Sequence, residues 1–232
     1  MPVEPSNAST QQDIASAQEL AALMDSRANV YKVLSRSYLE EIDGRFADEL
    51  ANEFLFESAN PRLAETLGAA KESLQGADDD LIEQLAVTFD RVFFGMGPLT
   101  ARHAFPYESV YTSEKGIMMQ EAYSQVVRAY REQHLAKDKG FTEPEDHIAV
   151  ELAFMATLAE RTAAFLREGH EEAAEETVAQ QVAFAKAHLL NWIDLFCADL
   201  SAAAPGTFYE HLADFTKTFV QEDVSLLAEI AG

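Results

Sequence analysis

Apolar residues recur through this chain at helical spacing and almost nowhere at the period of two that a half-buried strand requires. From Asp13 to Ile42 they fall at Ile14, Leu20, Leu23, Met24, Val30, Tyr31, Leu34, Tyr38 and Leu39, with no strong breaker before Gly44. Shorter helices are expected over 45–57, from Pro61 to about Gly76, and after the acidic run Asp78, Asp79, Asp80, where Leu81, Leu85, Phe89 and Val92 or Phe93 form the buried side. A helix over 113–134 would turn Ile117, Tyr123, Val126 or Val127 and Tyr130 inward. Gly169 stops a later helix, and Glu171, Glu172, Glu175 and Glu176 open the next, most simply as a solvated face. The run Leu189, Leu190, Trp192, Ile193, Leu195, Phe196 is apolar nearly all round and implies a central, buried helix, with Trp192 as core. Pro205 and Gly206 break it, and Thr207 with Glu210 has the form of a capping box. The fold class is all-α. With 232 residues, 48% of them hydrophobic, one globular bundle-like domain over 13–232 has material for a full core.

One interruption stands out, GMGPLTARHAFPYESVYT over residues 95–112. Two glycines, two prolines and several aromatics make it a structured loop that packs while joining an N-terminal half, 13–94, to a C-terminal half, 113–232. A join of this length also lets two chains exchange halves, so the expected state is a monomer or a domain-swapped dimer. Residues 1–12, rich in Pro, Ser and Asn, read as a disordered tail without a secretory signal.

The net charge of −23 repels phosphate backbones and anionic lipid surfaces, which argues against nucleic acid as a ligand. No apolar run is long enough for stable membrane insertion, and a cytoplasmic location is expected. The single cysteine, Cys197, has no partner for an internal disulfide and reads as packing. Catalytic signatures are missing. No G-x-x-x-x-G-K-[ST] occurs, no histidine has Glu three residues before it, and His170-Glu171 lacks the second histidine of H-E-x-x-H.

The stretch FTEPEDHIAVELAFMATL, residues 141–158, organises the rest. Thr142 and Glu145 have the capping-box spacing, and Pro144 suits a first turn. Ile148, Leu152, Met155, Thr162 and Phe165 then form a core stripe. That assignment leaves Asp146 and His147 at an exposed helix mouth, not needed to start the helix. The plain reading gives Glu143, Glu145 and Asp146 to the helix dipole and pairs His147 with Glu151 one turn on. A sharper one makes His147 and Glu151 two ligands of a metal- or nucleotide-dependent hydrolase. A third is a helical adaptor for some other partner.

Glu143-Pro144-Glu145-Asp146-His147, continued by Glu151-Leu152, resembles the E-P-x-D-H-x-x-x-E-L signature of the TorD/DmsD family of redox-enzyme maturation chaperones. Upstream, Gly97-Pro98 and then Pro106-Tyr107-Glu108-Ser109-Val110-Tyr111 resemble that family's G-P and P-x-E-S-V-Y block. The resemblance implies a cytoplasmic, non-catalytic chaperone with no cofactor of its own. Its partner would be an apo-molybdoenzyme catalytic subunit or that subunit's twin-arginine leader, held until molybdopterin guanine dinucleotide is inserted. Members have also been linked to guanine nucleotides (GTP). Carried over by position, the client-binding residues would be Glu143, Pro144, Glu145, Asp146 and His147, with Gly97, Pro98, Tyr107, Glu108, Ser109 and Tyr111 shaping the adjoining loop. A leader presents two guanidiniums before an apolar run, so the expected receptor is a carboxylate rim beside an apolar groove walled by Phe105, Tyr107 and Tyr111. On that view Asp146→Asn and His147→Ala would leave stability nearly unchanged.

Overall fold

The computed structural model describes residues 7–98 and 100–231, with side chains from residue 16 onward. Ten α-helices follow in order: α1 (Asn7–Leu39), α2 (Gly44–Asp48), α3 (Pro61–Glu72), α4 (Asp79–Phe93), α5 (Glu108–Thr112), α6 (Glu121–Glu132), α7 (Ile148–Glu168), α8 (Glu171–Phe184), α9 (Ile193–Ala203) and α10 (Phe208–Ala231). Two π-helical turns, Glu49–Glu53 and Ala185–Leu189, extend α2 and α8. Among the described residues the only β pairing is one isolated antiparallel bridge, Tyr107 to His147. Residues 1–6 of the expected tail lie outside the described residues, and α1 already runs from Asn7.

Helix ends follow local chemistry. Asn60 caps α3 by accepting the Arg62 N–H at 2.9 Å, with Pro61 in the first turn, and Asp78 caps α4 by accepting from Leu81 at 3.0 Å. Gly169 closes α7 in the left-handed conformation, φ 75°. At α10 neither bond of the anticipated box is made. Glu210 reaches back to the Gly206 N–H at 2.6 Å, and the Thr207 hydroxyl donates to the Ala204 carbonyl.

Helix α1 lies along α7, α7 packs on α8, and α10 packs against α3, α8 and α9. Elements from both sides of the 95–112 segment therefore share one core. Its middle is aromatic: Tyr31 meets Phe219 edge-on at 5.0 Å, and Tyr38 meets Phe196 at 5.5 Å and Phe93 at 6.0 Å. One ion pair is sealed within it. Arg27 binds Asp223 through two nitrogens, at 2.5 and 2.8 Å, and Tyr31 donates to the same carboxylate at 2.7 Å. No helix among the described residues is long and apolar enough to cross a membrane.

Two expectations are corrected. Helix α6 starts at Glu121, not near Ser113, because the Gln120 N–H bonds the Ser109 hydroxyl and Met119 takes φ 58°; Ile117, expected inward, is 49% exposed. The apolar run from Leu189 is not one continuous helix either. It breaks between the π-turn and α9, leaving Trp192 buried and Leu195 56% exposed.

Candidate functional site

Helix α7 starts at Ile148, with His147 as its N-cap; His147 Nδ1 accepts the Ala149 N–H at 3.1 Å. The capping box anticipated at Thr142 and Glu145 is thus absent, and Pro144 lies before the helix, not in its first turn. The reason is tertiary. The backbone before α7 is already engaged with the segment leading into α5: the Ile148 N–H bonds the Pro106 carbonyl and the Glu108 N–H the Asp146 carbonyl, both at 2.9 Å. Tyr130 fixes the coil further by donating to the Glu145 carbonyl at 3.0 Å, and Lys137 by donating to that of Glu143.

Side chains complete the zipper. Asp146 Oδ2 accepts the Ser109 N–H at 3.1 Å and the Ser109 hydroxyl. Tyr107 donates its hydroxyl to Glu143, and the His147 ring sits edge-on to Tyr107 at 5.2 Å and to Phe141 at 5.3 Å. From α1, Ser35 donates to the Ala149 carbonyl at 2.7 Å. Asp146 is 0% and His147 3% exposed, which overturns the exposed helix mouth. They are buried because they clamp two chain segments together.

Behind the zipper three carboxyl groups come together, with no Lys or Arg paired to them among the described residues. Glu108, Asp146 and Glu151 are all buried. Glu108 takes 2.7 Å and 3.0 Å contacts from Asn191 Nδ2 and His188 Nδ1, while Glu151 accepts from Trp192 Nε1 at 3.3 Å. Burial first, then the charges of Glu108 and Asp146, push the Glu151 carboxyl well above the usual range. Burial also raises Asp146, against the lowering effect of its Ser109 bonds. His147 is driven down to about 3 by burial and then by Lys137, so it is neutral. With Nδ1 committed to the backbone, His147 and Glu151 offer no open ligand pair. Among the described residues no group of three or more His, Cys, Asp or Glu is placed to hold a metal.

Beside the zipper a groove of 400 Å³ is lined by His103, Phe105, Val110, Tyr111, Leu195 and Asp199. Tyr111 stacks on Trp192, centroids 5.4 Å apart, and so joins groove to cluster. A second cavity of 510 Å³ lies between the end of α1, the 135–141 turn and the start of α7.

Comparison with known families places residues 57–198 in the family described as nitrate reductase delta subunit, a span containing both zipped segments and the α8–α9 break. The chain belongs to the TorD/nitrate reductase delta subunit family of chaperones. A TorD chaperone protein of Photobacterium profundum is 29% identical over 216 residues, covering 90% of this chain and 98% of the relative. One from Vibrio vulnificus is 30% identical over 186 residues, 77% and 84% of the two chains. Another, from Vibrio cholerae serotype O1 (El Tor Inaba), is 28% identical over 221 residues, 92% and 97%. TorD-family chaperones are not enzymes, and no catalytic role is assigned to any residue.

Of the TorD-like signature residues, Glu143, Asp146 and His147 come together with Tyr107, Glu108 and Ser109. Glu145 is half-buried, with Lys137 3.9 Å away. Gly97 and Pro98 are exposed in the turn after α4, where Pro98 accepts the Ala101 N–H at 2.9 Å. Gly97 has φ 118°, a value an L residue adopts only with strain. Sequence reading missed His188 and Asn191. No pattern in the sequence marks them, because Glu108, the partner that gives them a role, is brought in only by tertiary packing.

Proposed function

We propose that this chain is a cytoplasmic chaperone for maturation of a molybdenum-cofactor-containing oxidoreductase, binding the apo-enzyme or its twin-arginine leader before export. The observation that carries this reading is the apolar groove adjoining the zipped segments on a strongly acidic chain. Leu195 at 56% and Phe105 at 38% exposure offer a seat for an apolar helix, and Asp199 stands at the edge for a guanidinium. Glu143 and Glu145, half-buried, lie beside Lys137, which lines the second cavity. Asp146, His147, Glu108 and Ser109 act by positioning: they hold residues 107–111 so that Tyr111 faces the groove. The monomer is the working form in this reading, since the loop is pinned to its own α4 by Ala104 N–H to the Val92 carbonyl at 3.0 Å and His103 Nδ1 against the Arg91 carbonyl at 2.9 Å.

The test is a titration of the purified protein with a synthetic twin-arginine leader, beside Leu195→Asp checked for unchanged thermal unfolding. The variant should bind at least about tenfold more weakly, roughly 1.4 kcal/mol. Equal affinity would remove the groove from the site, and no binding by wild type of leaders from molybdoenzyme subunits of the same host would remove the leader as ligand.

A further inference from the structure

Buried carboxyl groups are ordinarily matched by donors, and here two oxygens are not. Asp146 Oδ1 and Glu151 Oε1 have no hydrogen-bond partner, although both residues are fully buried. The groups around Glu151 come from several elements: Glu108 on α5, Asp146 before α7, Tyr130 on α6 and Trp192 at the α8–α9 break, with His188 against the far side of Glu108. Helix α1 bonds the start of α7 through the neutral hydroxyl of Ser35 and presents Glu40 across the adjoining cavity, and Lys137 is spent on the Glu143 carbonyl. An ionised Glu151 beside an ionised Glu108 would be two like charges in a low dielectric, with an orphaned acceptor besides. A protonated Glu151 removes both problems, because its O–H can donate to the Glu108 carboxylate.

The other side of Glu108 is held by a local irregularity. The π-turn Ala185–Leu189 shifts the register of α8 just before it ends, and His188 and Asn191 both land on the Glu108 carboxylate. Asn191 does so while also donating to the Ala187 carbonyl at 2.6 Å. A regular helix would carry residues beyond the turn about 100° further round the axis.

We infer that the α8–α9 break is a third part of the site, a proton-held latch in which His188 and Asn191 position Glu108 while a proton between Glu151 and Glu108 ties residues 106–109 to α7. Loss of that proton to solvent leaves two facing carboxylates, and the zipper loosens. The consequence for client binding rests on the function proposed above; the latch itself does not. The raised Glu151 carboxyl agrees with this sign, since a group that must stay protonated when closed favours opening as pH rises.

Hydrogen–deuterium exchange on the full chain, without client, tests the latch by reading protection of residues 106–112 as opening equilibria corrected for intrinsic exchange. In wild type, opening should increase between about pH 6 and about pH 8, by up to about tenfold per pH unit. Glu151→Gln, which keeps the shape and can still donate to Glu108, should flatten that dependence. Asn191→Ala, a change at an exposed residue, should raise opening of 106–112 at each pH while protection of α1 and α10 stays as in wild type. Constant wild-type protection across this range, the same pH dependence in Glu151→Gln, or no local effect of Asn191→Ala would overturn the proposal. Leader affinity measured at both pH values is a separate readout, so failure of the leader reading is distinguishable from failure of the latch.

Discussion

His147 does three jobs with one ring. It caps α7 through Nδ1, packs edge-on between Tyr107 and Phe141, and occupies the position bridged to Tyr107. His147→Ala should therefore cost about 2–4 kcal/mol from lost packing and the lost cap, against the near-neutral effect that an exposed residue would show. His147→Asn, which keeps a capping acceptor, should cost less; urea denaturation of both variants decides. The ring also sets a pH dependence. Its ordinary value of 6.5 falls to about 3 in the fold, so the unfolded chain takes up the proton first and stability is lost as pH falls through that window. His147→Asn should have a shallower acid limb in thermal melts between about pH 6.5 and about pH 5.

At the scale of elements, the ends and breaks of helices matter more than their lengths. Gly169 closes α7 at φ 75°, and a Cβ there would meet nothing within 4 Å. Gly169→Ala should then cost about 1–2 kcal/mol from backbone strain alone, with no packing defect, seen as a lower urea midpoint at constant slope. The π-turn at Ala185–Leu189 is the more consequential irregularity, because it sets which side chains of the α8–α9 break reach Glu108. A late start for α7 has a similar origin. The residues before it spend their backbone groups on the 106–108 segment, so local capping propensity at Thr142 is overridden.

Across the whole molecule, two electrostatic features act at different ranges. The Arg27–Asp223 pair joins α1 to α10 inside the core, and Asp223→Ala would leave a buried guanidinium without a counter-charge. That variant should lose about 3–5 kcal/mol in equilibrium unfolding, whereas breaking a solvent-exposed pair such as Arg45 with Glu49 should leave the urea midpoint where it was. In the proposed function the net charge of −23 acts at long range on encounter with a cationic leader. Stopped-flow association should slow markedly between about 20 mM and about 300 mM salt, as the screening length shortens, while dissociation changes much less.

The sequence by itself determined the helical class, most helix positions, and the two segments that carry the family signature. Apolar spacing and terminal residues such as Pro61, Asp78 and Gly169 are local signals, and local signals are legible in order along a chain. What only the tertiary structure decided is which polar residues face water. Asp146 and His147 read as exposed because the capping-box spacing at Thr142 and Glu145 placed the helix start before them, where the structure makes His147 the N-cap instead. They are buried because Ser109, Tyr107 and the 106–108 backbone, far upstream in the chain, supply their partners. His188 and Asn191 were silent for the same reason, since a hydrogen bond from His188 to Glu108 spans 80 residues and leaves no periodic trace.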